Sequence, residues 1–306
     1  MNKFISHLEQ KIIFDNRLIF VRSLLAFGAL LTICFNDIDE VTNMNLLIHN
    51  ETSFKLDVFL QHISLFNLFS SSFAKTISIS ILLIVFTGYF PQLFSLLQTW
   101  VHVSICNSFI AIEGGDQIAS NLSMLLIPIC IFDNRINQWS NNKLIITKSR
   151  KAINVFFNTY YFLILLQVAI IYLHAGVGKI FNDEWKDGTC IYYWFTNNIF
   201  GAPLWLQKIL SIITLSPFTP LISWSVIILE LGLFACILAT DKLIKKLFLT
   251  LGVFFHLSIV LTHGLITFFF PMTAALILYL DNENSIYQYF EMKIKAINYG
   301  KKQETK

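Results

Sequence analysis

Long apolar runs separated by short polar stretches occupy nearly the whole chain. Eight runs stand out, at 18–36, 75–90, 92–112, 117–132, 152–179, 219–240, 243–263 and 264–280. A spanning helix needs roughly 20 mostly apolar residues. The pattern therefore predicts an all-α fold, a polytopic transmembrane helical bundle of about eight spans. Runs 75–90 and 117–132 are short, so these helices tilt little or begin inside the protein. The second and third runs meet at Gly88-Tyr89-Phe90-Pro91, where proline ends one helix and opens the next. The last two meet at His263-Gly264 with almost no loop. No internal repeat or low-complexity linker interrupts the pattern, and 1–306 reads as a single membrane domain. Residues 1–17 are polar and no small-residue cleavage site follows the first run, which is expected to stay as a helix rather than leave as a signal peptide.

Composition agrees with the pattern. Of 306 residues, 55% are hydrophobic and 13% charged, with a mean hydropathy of +0.63; soluble domains carry about 25% charged residues. The distribution of charge adds a direction. With the N-terminus inside, sixteen lysines and arginines fall on inner segments and five on outer ones (Lys55, Lys75, Lys179, Lys186, Lys208). Basic residues favour the cytoplasmic side, which predicts an N-in, C-in arrangement. Arg22, near the inner end of the first run, is expected to reach the inner headgroups. The outer side then holds 37–74 and 180–218. The second piece is rich in tyrosine and tryptophan, residues that favour the interface, and 189–216 is expected to lie in or dip into the outer leaflet. The five cysteines have no metal or CxxC spacing and imply no disulfide framework. Walker, dinucleotide-binding and GxSxG motifs are absent, as is a basic patch interleaved with aromatics; neither a metal nor a nucleic-acid partner is expected.

Candidate chemistry concentrates at His174–Gly188. Ala175, Gly176 and Gly178 let a helix approach its neighbours closely. Tyr172, Gly176 and Lys179 share one helical face, so Lys179 stands at the outer end of a tightly packed helix with a tyrosine two turns below. Desolvation disfavours the charged form of a lysine held there, which would make it a general base; the alternative is an interfacial anchor. Tyr172 and His174 join it as catalytic candidates. Glu113 and Asp116, in the short turn Ile112–Gln117, and Trp185, Gly188, Tyr192 and Tyr193 are substrate-binding candidates, although Asp116 also suits a helix cap. Glu230 sits in mid-span, where a carboxylate must be paired, hydrated or protonated. His256 and His263 lie seven apart on one face and, with Glu230, are intramembrane polar candidates, for a proton relay or for packing.

These residues resemble a known family. Tyr172-Leu-His-Ala-Gly-Val-Gly-Lys179, Trp185-Lys-Asp-Gly188 and Tyr192-Tyr193 are similar to the signature of the HTTM membrane domain, shared with vitamin K-dependent gamma-carboxylase. Gly88–Pro91, Glu113–Gln117, Pro128–Asp133, Tyr192–Thr196, Phe255-His256 and His263–Phe268, in that order, resemble the SdpB (sporulation-delaying protein B) family. The resemblance implies a multi-pass protein of the bacterial plasma membrane, required to mature a secreted SdpC-like antimicrobial peptide toxin from its precursor, with an SdpA-like partner on the outer side. It places Lys179 on the carboxylase base, with one residue inserted before Trp185, and suggests a quinone by resemblance alone, the residues themselves leaving the cofactor unknown. A counterpart of the large lumenal portion of the carboxylase is missing after the last run, so gamma-carboxylation itself is not expected. A non-catalytic scaffold or export component, or an immunity protein, is the alternative.

Overall fold

A computed structural model describes residues 13–14, 16–42, 55–140, 144–145 and 151–281. Lys3, Lys11, Lys143, Lys148, Arg150 and the five lysines after 281, ten of the sixteen inner charges, lie outside the described residues. So does part of the outer piece 37–74.

A helix forms at every one of the eight apolar runs. In chain order the described helices are α1 (Arg17–Phe35), α2 (Ile38–Val41), α3 (Lys55–His62), α4 (Leu65–Leu68), α5 (Ser71–Thr87), α6 (Pro91–Ser108), α7 (Gly114–Ile131), α8 (Lys151–Ile180), α9 (Asp183–Lys186), α10 (Cys190–Thr196), α11 (Leu204–Thr214), α12 (Thr219–Ala235), α13 (Lys242–His263) and α14 (Ile266–Leu280). A 3-10 turn, Cys236–Leu238, extends α12. Among the described residues, four segments are long and apolar enough to cross a bilayer: Arg17–Phe35, Ala152–Ile180, Thr219–Leu238 and Lys242–His263. By their length and composition this is an α-helical membrane protein. One small departure from the all-α reading is an antiparallel pair of two-residue strands, Ile13–Phe14 with Leu144–Ile145.

The turns fall where glycine and proline put them. Gly88 ends α5 in the left-handed region (φ 74°), Phe90 follows at φ 48°, and Pro91 opens α6, where its missing N–H costs no helical bond. Gly264, also left-handed, ends α13. The third run is helical only to Ser108, because Ile110 donates its backbone N–H to Val41 and turns the chain away. The last helix is short. Its fifteen residues rise about 22 Å, and Pro271–Leu280 are all buried. It packs on α1, α7, α8 and α13, so protein rather than lipid surrounds it.

Two apolar clusters hold the helices. Leu18, Val21 and Leu25 of α1 join α7, α8, α12, α13 and α14. One turn further on, Ala26, Ala29, Leu30 and Ile33 join α2, α4, α5 and α6. α1 is thus the shared wall. By contrast α13 exposes Leu243, Leu247, Leu251, Phe254 and Leu261, one stripe at helical spacing and the surface a lipid-facing helix presents.

Candidate functional site

The mid-span carboxylate has found its partner. Lys179 Nζ lies 2.7 Å from both Glu230 oxygens, joining the last turn of α8 to α12. Gly176 permits this. A Cβ built there would stand 3.0 Å from Leu231 Cδ2 and 3.5 Å from Glu230 Cβ, so a larger side chain would have to displace the Leu231 side chain. The Glu230 side chain is 6% exposed and that of Lys179 21%. The third ammonium hydrogen of Lys179 points to Ala175 O at 3.5 Å, and Trp185 covers the nitrogen at 5.2 Å from the ring centre. Two carboxylate oxygens and one backbone carbonyl thus surround the Lys179 nitrogen.

Two turns down the same face, Tyr172 Oη meets His256 Nε2 at 3.0 Å. Both residues are buried, with Phe255 and Phe268 against the imidazole. Tyr172, Lys179, Glu230 and His256 therefore line one seam where α8 meets α12 and α13. His174 does not belong to it: it is exposed, four residues after exposed Ile170 on the opposite face of α8.

Beyond Lys179 the chain folds into a shelf of short helices. Asn182 caps α9 through Trp185 N. Asp187 accepts from both the hydroxyl and the N–H of Thr189, bonds that hold its carboxyl below the usual range. Gly188 turns at φ 84° with Pro220 pressed against its α-carbon, and its carbonyl accepts from Ser223 Oγ at 2.9 Å. That contact fastens the shelf to α12. Trp185 packs on Trp194 at 6.5 Å, and Trp194 lies 5.7 Å from His263. His263 Nδ1 is 2.7 Å from Phe200 O, so His263 ties α13 to the shelf and stands apart from His256. Gly188, Thr189, Tyr192 and Tyr193 line an open cleft of about 400 Å³ together with Thr214–Pro217, Thr219 and Pro220. α11 beside it exposes Leu204, Trp205, Ile209 and Ile212. Cys190, buried under the shelf, has its thiol pushed up to about 12, chiefly by burial and then by Glu184.

Glu113 and Asp116 have a different task. Their side chains close a reciprocal capping box at the start of α7, and Glu113 Oε2 accepts from Thr267 Oγ1 at 2.8 Å. These bonds anchor α7 to α14 rather than reaching α8 or α12.

A second polar centre, which the sequence reading missed, lies toward the opposite end of α1. Arg22 is 2% exposed and does not reach headgroups. Its Nε donates to Gln98 Oε1 at 3.1 Å and its Nη1 to Gln138 Oε1 at 2.6 Å. Gln138 Nε2 donates to Asp133 Oδ2 at 2.8 Å, and Arg135 grips Asp133 through Nε at 2.9 Å and Nη2 at 2.7 Å. Gln92 holds the Asp133 carbonyl. Residues 133–140 cross this centre as a strap. Phe90 N donates to Ile136 O, Gln138 N to Gly88 O, and Trp139 Nε1 to Phe86 O at 2.8 Å. The sequence signal was an arginine several residues inside an apolar run, the same kind of signal that Glu230 gave.

Two curated proteins of Bacillus subtilis (strain 168) are similar over most of their length. The sporulation-delaying protein SdpB is 33% identical over 270 residues, which cover 85% of this chain and 79% of that protein. The uncharacterized protein YitO is 31% identical over 268 residues, 88% of this chain and 86% of that protein. No family model matches the chain. No solved structure matches it either.

Proposed function

The chain belongs to the SdpB family, and from that membership we propose that it serves a sporulation-delaying-type peptide pathway, bringing a secreted SdpC-like antimicrobial peptide to its mature form at the outer face of the bacterial plasma membrane with an SdpA-like partner. The proposal includes one membrane domain of about eight spans with both termini inside. The observation that carries it is the Lys179–Glu230 pair at a helix end, roofed by Trp185 and continuous through Trp194 with the aromatic shelf and its cleft. In this reading that cleft receives a segment of the precursor. The ion pair then offers a hydrogen-bonding centre to a polar group of that segment.

The likeness of Tyr172–Lys179 to the HTTM domain would suggest a lysine base acting on a reduced quinone. The residues present do not fit that group, because all three donors of Lys179 are directed at Glu230 and Ala175. No step through a quinone follows. The same observation favours a second reading, in which the protein holds the precursor or its partner as a scaffold without chemistry of its own.

The test is toxin output from cells carrying the pathway, with membrane levels of each variant matched. Lys179→Ala and Glu230→Gln should each lower active peptide in the medium at least tenfold. Undiminished output from both would remove the pair from the function. Mass spectrometry of the retained peptide separates the readings. Unmodified precursor supports maturation, whereas fully mature peptide held in the cell supports export or scaffolding.

A further inference from the structure

At the Lys179 end of the bundle the chain turns an apolar helix face outward. α11 lies between two span-length helices, after the end of α8 at Ile180 and before the start of α12 at Thr219. At about 100° per residue, Trp205, Ile209, Ile212 and Ile213 share one arc of its surface, and Gln207, Lys208 and Ser211 share another. The apolar arc is the outward one, its four residues being 44–77% exposed. Leu206, Gln207 and Leu210 are half-buried and Thr214 is buried, so the helix rests on the protein by a different side. Gln207 Nε2 donates to Ala202 O at 2.7 Å and helps to fix that rotation. Leu215 and Phe218, just past its end, extend the exposed apolar surface. An amphipathic helix in water turns its apolar arc to the core; one that turns it outward has an apolar medium to meet. The eleven residues of α11 rise only about 16 Å, far short of the roughly 30 Å of a hydrocarbon core, so this helix does not cross. The sequence places all of 189–216 in the outer leaflet. The structure divides that stretch, because α10 buries Cys190 and Ile191 in the protein.

From these observations we infer that α11 lies in the plane of the membrane, with its Trp205–Ile213 face among the acyl chains of the leaflet at the Lys179 end. The residue types suit that depth. Tryptophan favours the interface, the isoleucines are wholly apolar, and the stem of Lys208 can carry its ammonium to the headgroups. Helices of this kind bind a lipid surface through their buried apolar area. The arc carries no charge and a single hydrogen-bonding group, the Trp205 indole, so it gives a protein partner little to recognise. The consequence concerns the cleft. Thr214, the last residue of α11, lines it together with Tyr192 and Tyr193. Seating α11 in the leaflet therefore sets the cleft at the lipid–water interface, and a ligand meets it at the membrane surface rather than in bulk water. The inference rests on the membrane character of the chain and not on the toxin reading, and it is tested without a peptide.

The experiment uses the full chain in lipid nanodiscs, spin-labelled at one position at a time through Trp205→Cys, Ile209→Cys, Ile212→Cys, Lys208→Cys or Tyr193→Cys. Cys34→Ser and Cys106→Ser suffice as background, because Cys130, Cys190 and Cys236 are buried. Collision with oxygen, which partitions into lipid, is compared with collision with a water-soluble nickel chelate. Labels at 205, 209 and 212 should favour oxygen several-fold, the label at 208 should favour nickel, and the label at 193 should meet both comparably. A second measurement needs no cysteine replacement. In the otherwise native chain, lipids brominated on the acyl chain should quench a component of the tryptophan emission that Trp205→Phe removes. Nickel-dominated collision at 205, 209 and 212, or equal quenching with and without Trp205, would overturn the inference by placing the face in water. Low collision with both probes at these positions would overturn it by placing the face against a second copy of the chain. Oxygen preference at 208 would overturn the in-plane seat, and nickel preference at 193 would overturn the position given to the cleft.

Discussion

Removing Lys179 should do something that removing Glu230 does not. Glu230 is 6% exposed in its side chain and its ionic partner is Lys179. Breaking a buried pair by deleting one member leaves an uncompensated charge, at a cost of roughly 3–5 kcal/mol. Lys179→Met should approach that figure. Glu230→Gln leaves the lysine, whose side chain is 21% exposed and whose aliphatic stem can carry the ammonium outward. Its cost should be nearer about 1–2 kcal/mol, the loss of a charge-assisted bond. The double variant Lys179→Met/Glu230→Leu removes both charges and keeps the volume; apolar replacement of a buried pair is close to neutral, so its stability should return to within about 1 kcal/mol of wild type. Closed with the single variant Glu230→Leu, at about the cost of Glu230→Gln, the cycle shows a coupling of at least about 3 kcal/mol, well above the exposed-pair range of about 0.2–1 kcal/mol. Denaturant unfolding in mixed micelles, read by tryptophan fluorescence, measures it, with toxin output recorded on the same variants. A Lys179→Met variant as stable as wild type, or an additive cycle, would refute the energetic argument. The double variant also separates structure from function. If the pair acts on the precursor, this protein is stable and inactive; if toxin output returns with stability, the pair is only a fastening between α8 and α12.

Three further outcomes follow from particular contacts. Gly88→Ala puts a side chain at φ 74° and a Cβ 2.7 Å from Trp139 Cδ1; left-handed strain of about 1–2 kcal/mol plus this clash should lower the unfolding midpoint and free the Trp139 indole, seen as a red-shifted emission, and an unchanged midpoint would contradict the strap geometry. Asp116→Ala removes half of the capping box, which should cost about 1 kcal/mol and speed hydrogen exchange in the first turn of α7, while toxin output per folded molecule stays unchanged. A membrane-impermeant maleimide on intact cells at neutral pH should label exposed Cys34 but not Cys190, which is buried with its thiol pushed up to about 12, because the thiolate is the reactive form. Cys34→Ser should abolish that labelling, and labelling of Cys34 only after the cells are opened would invert the proposed orientation.

Helices were legible in this sequence because a bilayer imposes a length and an apolar composition on each one. Gly88-Tyr-Phe-Pro91 and Gly264 could be placed as breaks because proline and left-handed glycine act locally. Glu230 was legible as a residue that must be paired, since a lone carboxylate in mid-span is too costly. The name of its partner was not, because α8 and α12 are separated by the whole shelf and nothing in the spacing joins Lys179 to Glu230. Gly176 carried a hint: a small residue between Tyr172 and Lys179 says a neighbour comes close, though not which one. For Arg22 the same cost argument holds, but it competes with snorkelling, the default for a long side chain near a helix end. The default failed because the residues that answer Arg22 and its network include Gln138, Asp133 and Arg135, in a polar stretch that reads as a connecting loop and in fact folds back against α1, α5 and α6. A buried charge in a membrane chain therefore predicts more than its own pairing. It predicts that some polar group elsewhere, at the end of an apolar run or outside every one, has been drawn inward to meet it. In this protein the segments drawn in are Lys179 at a helix end and the strap 133–140.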